Sequence, residues 1–227
     1  MRSRSVTATV TQLTKFRFVN AYLVREDDGL TLVDTTMNAA GEIVAAARSL
    51  GAPIRRIALT HGHGDHVGSL DALKERLGDG VQVLVPELDA QIHAGEAFTD
   101  KKPPGQWPRL ATRPDVRLQP GDRVGSLEVV AAPGHTPGHV AFLDTRDRAL
   151  FAGDVFTTYG GTAVTSHFKA RFPFAAMATW DKPTDVESAR TLVSLAPSVL
   201  LVGHGPAVRD PQRSMEQAVA AAERRLK

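Results

Sequence analysis

No cysteine occurs in the 227 residues. Disulfide bracing and thiolate ligation of a metal are therefore both excluded, and any metal site must be built from His, Asp and Glu. Charge of one sign is also lacking. The formal net charge is +2, and only the closing Glu223-Arg224-Arg225-Leu226-Lys227 is locally basic, which argues for a solvated helix end and against nucleic acid as a partner. No apolar run approaches a membrane span, and Met1-Arg2-Ser3-Arg4-Ser5 has no apolar segment behind it to make a leader. The expectation is a cytoplasmic chain with no membrane partner. Neither an internal repeat nor a linker interrupts it, so one domain over 1–227 is expected.

Residues 6–13 and 16–24 alternate apolar and polar positions and read as two strands, followed by a third at 30–33 after the turn signal Glu26-Asp27-Asp28-Gly29. The pattern then gives a helix over 39–50, a strand over 54–59, a helix over 68–77, a strand over 81–85 and a helix over 86–94. Residues 95–114, with four prolines, two glycines and Trp107, read as a long irregular insertion. Strands at 127–131, 139–143 and 149–152, a helix at 185–195, a strand at 199–202 and a helix at 211–227 complete the reading. A hairpin-rich start passing into β-α-β-α-β implies a mixed sheet covered by helices.

The strand at 54–59 delivers Thr60-His61-Gly62-His63-Gly64-Asp65-His66. Gly62 and Gly64 allow the tight backbone that lets alternate side chains converge. Neutral imidazole and carboxylate are the ligands that zinc and similar divalent ions take. Three further words put a His or Asp where a strand has just ended: Gly134-His135 after 127–131, Gly153-Asp154 after 149–152 and Gly203-His204 after 199–202. Strand ends along one edge of a layered α/β fold share a crevice, where sites are built. Together these words commit five of the eight histidines to metal.

On these residues the chain resembles the metallo-β-lactamase superfamily along essentially its whole length. His61, His63, Asp65, His66, His135, Asp154 and His204 match, in order, the seven ligand positions of that family's dinuclear site. The resemblance implies an α/β four-layer αββα sandwich, two mixed sheets flanked by helices, with the site at one edge. It implies two divalent metal ions, zinc first, with iron or manganese as alternatives. His61, His63 and His135 would hold one ion, Asp65, His66 and His204 the other, and Asp154 would bridge them. Asp34, in Val33-Asp34-Thr35-Thr36, matches an acidic position behind the site that orients ligands; the lesser alternative is a cap for the helix over 39–50. His139 matches a structural position.

Such a centre implies hydrolysis by a metal-bridging hydroxide, with Asp65 orienting the nucleophile or carrying its proton. Among the family's branches, a bridging Asp154 argues against a dedicated β-lactamase. The short segment after His204 argues against glyoxalase II, and length and charge argue against the processing nucleases. The compact hydrolases that include the lactonases remain, on a lactone, thioester or similar small ester. Tyr159 is the candidate to assist the leaving group, or else a packing tyrosine. A mononuclear iron enzyme resembling persulfide dioxygenases, a β-lactam or phosphodiester hydrolase of the same fold, and a metal-bearing binding protein with little turnover are the competing readings. The partner expected is a small-molecule substrate, met by a monomer or homodimer. Trp107, His167, Phe168, Phe172 and Trp180, in residues 95–112 and 156–180, are expected to rim the substrate site, with core packing or a dimer contact as the alternative.

Overall fold

The computed structural model describes residues 1–96, 103–167 and 173–226. The chain opens as an antiparallel meander of β1 (Arg2–Ser5), β2 (Val10–Lys15), β3 (Val19–Glu26) and β4 (Gly29–Val33). Helix α1 (Ala40–Ser49) crosses to β5 (Ile54–Ala58), α2 (Gly64–Val67) and α3 (Leu70–Leu77) cross to β6 (Gln82–Pro86), and α4 (Glu87–Ala94) leads on to β7 (Val116–Leu118). These strands form one mixed sheet in chain order, parallel from β4 onward. Then follow β8 (Arg123–Val124), β9 (Leu127–Ala131), β10 (Val140–Asp144) and β11 (Ala149–Phe151), the small hairpin β12 (Phe156–Thr157) and β13 (Ala163–Val164), and helices α5 (Pro173–Ala178) and α6 (Lys182–Ser194). Last come β14 (Val199–Leu201), β15 (Val208–Arg209) and α7 (Gln212–Leu226). The second sheet runs β15-β14-β11-β10-β9-β8, and only its β11/β14 pair is parallel.

Strand alternation builds the layers. Leu23, Leu32 and Ile57 point to α1 and α3, where Ile43, Leu70 and Leu73 meet them. Their neighbours Tyr22, Val24, Val33 and Ala58 point the other way and pack against Val129, Phe142, Phe151 and Leu201 of the second sheet. From that sheet Ala141, Leu143, Leu150 and Leu200 turn outward to Val186, Leu192, Met215 and Ala218 of α6 and α7. Three apolar layers between helix, sheet, sheet and helix make the αββα sandwich. Each fully buried Phe or Leu contributes roughly 1.5–3 kcal/mol, which is what holds the sheets face to face.

Several elements differ from the sequence reading for local reasons. The strand expected over 6–13 begins only at Val10, because Val6 and Thr7 both donate to the Val10 carbonyl and turn the chain, and β1 lies before that turn. The helix expected over 68–77 is α3, and a separate short helix, α2, precedes it; the two are broken where Ser69 takes the Ala39 amide on its hydroxyl and gives its own N–H to Thr35. Helix α6 starts before residue 185 because Asp181 caps it, accepting the Thr184 amide at 2.9 Å, with Pro183 in its first turn.

Candidate metal centre

The loops leaving β5, β9, β11 and β14 meet at one edge of the sandwich. Past β5 the chain is fixed by Asp34, which follows β4. Its Oδ1 accepts the Thr60 N–H (2.8 Å), and its Oδ2 accepts Nδ1–H of His66 (2.8 Å). Asp34 holds φ at +58°, a left-handed conformation costly for a residue with a side chain. The loop after β14 is tied to the first sheet by Asn20, whose amide donates to the carbonyls of Val202 (2.9 Å) and Gly205 (2.6 Å). At Gly203 a Cβ would fall on Asp154 Oδ1 and His66 Cε1, so no other residue lets this loop close on the site.

The expected ligand positions come together. Ligand atoms of His61, His63 and His135 lie within 4.8 Å of one another, as do those of Asp65, His66 and His204, and those of His61, His66 and Asp154. Asp154 stands between the two outer groups, 3.4 Å from His66 Nε2, 3.5 Å from His135 Nε2 and 3.1 Å from His204 Nε2.

His61, His63, His66 and His135 are each held by the nitrogen that faces away from the centre. Thr60 Oγ1 donates to Asp34 and accepts Nδ1–H of His61 (3.0 Å). Thr179 Oγ1 donates to the Ala175 carbonyl and accepts Nδ1–H of His135 (3.2 Å). His63 donates through Nε2 to the Pro104 carbonyl at 3.0 Å. These bonds fix the tautomers and leave unprotonated His61 Nε2, His63 Nδ1 and His135 Nε2 aimed inward; the last two face each other at 3.0 Å. His61 Nε2, His66 Nε2 and Asp154 Oδ1 are buried and have no hydrogen-bond partner among the described residues. Inward lone pairs without donors are what a divalent ion satisfies, so the residues fit the metal that the sequence implies.

The electrostatics divide the centre in two. Burial, reinforced by the neighbouring imidazoles, holds His61 and His135 well below the ordinary histidine range, and burial lowers His63 too. Burial also acts on His66, but the carboxylates of Asp154, Asp34 and Asp65 outweigh it and raise that ring to about 9. His204 is buried likewise, and Asp154 and Asp65 raise it to about 10. One half therefore offers three neutral imidazoles, and the other keeps protons against its carboxylates until a cation replaces them.

Other histidines and acids support this centre. His139 Nε2 accepts the Asp154 N–H at 3.0 Å, and burial lowers that ring to about 3. Asp89, which the sequence reading passed over, is buried between the first two ligand loops and is pushed up to about 6 by that burial.

A cavity of about 420 Å³ opens on the centre. His63, Asp65, His135, Asp154 and His204 form its floor; Phe16, Phe18, Met37, Ala175, Met177 and Ala178 form its wall. No lysine or arginine lines it among the described residues. Phe16 and Arg17 sit at the β2–β3 hairpin tip with φ of +49° and +72°. Of the residues expected at the rim, Trp107 packs edge-on to His63 (5.3 Å) without lining this cavity. Trp180 reaches the site through its main chain, donating to the His135 carbonyl at 3.0 Å. His167 is not among the lining residues, and Phe168 and Phe172 lie outside the described residues. Tyr159 is 39% exposed, packs against Phe18 at 5.9 Å and does not line the cavity.

A sequence profile of the metallo-beta-lactamase superfamily matches residues 14–204. The chain belongs to that superfamily. It is 42% identical to the uncharacterized protein YobT of Bacillus subtilis (strain 168), over 95% of this chain and 97% of that one. A probable metallo-hydrolase of the same organism, YflN, is 27% identical over 83% and 81%. A hydroxyacylglutathione hydrolase of Rhodopseudomonas palustris (strain HaA2) is 31% identical, but over 61% of this chain and 48% of that enzyme. Among solved structures, a metallo-beta-lactamase from Pontibacter korlensis superposes with a TM-score of 0.73 at 19% identity, covering 98% of both chains. TTHA1623, in a di-iron-bound form, gives 0.64 at 26% identity over 92% and 96%. Membership and relatives together make the chain a hydrolase, and the superfamily's divalent metals match the His and Asp groups found here. Among the described residues no helix is long and apolar enough to cross a membrane.

Proposed function

We propose that this metallo-hydrolase domain cleaves a small neutral ester, a lactone or thioester, at a dinuclear centre held by His61, His63, Asp65, His66, His135, Asp154 and His204. The observation that carries the reading is the position of Asp154, within reach of His66, His135 and His204 at 3.1 to 3.5 Å, between two complete ligand groups. Divalent ions bound there supply a Lewis acid for the scissile carbonyl and a water of lowered pKa. The chain's own part is positional. Asp65 keeps 31% of its side chain exposed on the cavity floor, where it can take a proton from the attacking water and return it to the leaving group. Asp154 is nearly enclosed and stays ionised, because His204 and His66 hold it well below the usual carboxylate range against the burial that raises it. The apolar wall receives the acyl portion and excludes water from the reacting bond.

Zinc is the first-choice metal for this His/Asp set, and the di-iron-bound state of TTHA1623 supports iron as a second occupant. A mononuclear iron centre is less favoured, because Asp65, His66 and His204 make a second ligand group. Tyr159 is given no leaving-group role in this reading, since it does not line the cavity. The test is elemental analysis of purified protein beside hydrolysis of lactones, thioesters, a β-lactam and a phosphodiester. About two ions per chain with lactone or thioester turnover is expected. One iron per chain with no hydrolysis refutes the proposal.

A further inference from the structure

Helix α4 lies behind the ligand loops and carries Asp89 and His93 one turn apart on one face. Neither is in the ligand set. The Asp89 Oδ2 accepts the Gly62 N–H at 2.8 Å and the Thr136 hydroxyl at 2.7 Å, while Oδ1 accepts the Gly138 N–H at 2.7 Å. His93 meets the same glycine from its other side, with Nε2 at 2.9 Å from the Gly62 carbonyl and Nδ1 at 3.1 Å from that of Pro108; a neutral ring has one N–H to give, and the shorter contact places it on Nε2 toward Gly62. One helix thus grips both peptide groups that join His61 to His63, and through Thr136 it also holds the residue next to His135. Gly62 is outside the left-handed region; what it supplies is space. A Cβ there would stand 2.5 Å from the Trp107 ring and 2.8 Å from His93 Nε2.

We propose that Asp89 and His93 are positioning residues, a clamp from α4 that sets the spacing of His61, His63 and His135. The clamp is distinct from the support given by Asp34, which bonds His66 directly and reaches His61 through Thr60. Asp34 therefore stands behind the rings of His66 and His61, and Asp89 behind the backbone that carries His61, His63 and His135. All three partners of Asp89 are donors, so an amide at this position must turn its NH₂ toward an N–H or O–H. The 104–108 stretch joins the centre through bonds of its own, since His63 donates to the Pro104 carbonyl and the Gly64 N–H donates to the Gln106 carbonyl at 2.8 Å.

The inference rests on the metal-binding reading, and the experiment separates the two. Cobalt-loaded wild type, Asp89→Asn, His93→Leu and His93→Gln are titrated with a chelator, following the visible spectrum and the ions retained per chain. Melting of each metal-free protein is recorded in parallel. Asp89→Asn and His93→Leu should release the ion of the three-histidine half about 10- to 100-fold more readily, with an altered cobalt spectrum. They should retain the other ion. His93→Gln, whose amide still donates toward the Gly62 carbonyl, should recover most of the loss. Unchanged retention and spectrum, equal loss of both ions, or a change confined to metal-free melting would overturn the clamp and leave the metal centre standing. Wild type that retains no divalent ion would overturn both. Should Asp89→Asn fail to fold, the half-buried His93 pair decides the question.

Discussion

Replacing Asp34 tests how the ligand geometry is stored. The carboxylate receives the Thr60 N–H, the Thr60 hydroxyl and Nδ1–H of His66, all at 2.8 to 3.1 Å and all buried. In Asp34→Ala these donors lose their acceptor together. At about 1–3 kcal/mol for each stranded buried group, less what local rearrangement recovers, the loss is roughly 3–6 kcal/mol, a large part of a typical domain's stability. Asp34→Asn is the sharper perturbation. With its oxygen toward Thr60, its NH₂ faces Nδ1–H of His66, and that ring must give up the Nδ1 proton and keep its remaining one on Nε2, the nitrogen that points into the centre. Turned the other way, the amide confronts the Thr60 N–H. The first orientation forfeits the favoured protonation of His66 and the second strands the Thr60 N–H, so metal-free Asp34→Asn should lose only about 1–3 kcal/mol. Its metal affinity should nonetheless fall about 10- to 100-fold. Urea unfolding of the metal-free proteins, paired with chelator competition of the loaded ones, measures both quantities. An Asp34→Asn protein that keeps wild-type affinity while losing stability would refute the tautomer argument.

Metal-free protein should be most stable near neutrality and weaken as pH rises. His66 and His204, raised to about 9 and 10, add stability below the unfolded value near 6.5 that vanishes as pH passes through their folded values. The loss between pH 7 and 10 is on the order of a few kcal/mol, and denaturant midpoints that hold or rise over that range would contradict it. Thr179→Val removes the acceptor of His135 Nδ1–H and should cost about tenfold in metal affinity with a stability change of roughly 0.5–1.5 kcal/mol, read by chelator competition and melting. Phe18→Ala should raise KM for long-chain esters about tenfold, the equivalent of roughly 1.4 kcal/mol of lost apolar contact, at unchanged metal content; equal KM for short and long chains would remove Phe18 from the substrate wall.

Much of this molecule is legible in its sequence because the informative residues sit where strands end. The His61–His66 word, His135, Asp154 and His204 each follow an apolar run, and the fold brings such ends to one edge. What escapes sequence reading depends on contacts between distant segments. Asp89 and His93 look like solvated positions on a short helix until Gly62 and Thr136 are seen against them. Thr179 follows a six-residue helix that periodicity does not reveal. Among the described residues the cavity wall owes more to Phe16 and Phe18, at a hairpin tip, than to Trp107, whose ring turns inward to His63 and whose N–H donates to Pro104 (2.9 Å).

The two sides of the cavity differ in their freedom to vary. The β2–β3 tip contributes Phe16 and Phe18, whose side chains make none of the hydrogen bonds that orient His61, His63, His66 and His135, although the Phe18 ring packs 5.9 Å from that of His204. The α5 side is wired to the centre: Ala175 accepts the Thr179 hydroxyl, which in turn orients His135. A lineage adapting this scaffold to a new acyl group would meet little resistance at the hairpin. Lengthening or shifting α5 would retune the metal as well, so substrate range and metal affinity would drift together on that side and separately on the other.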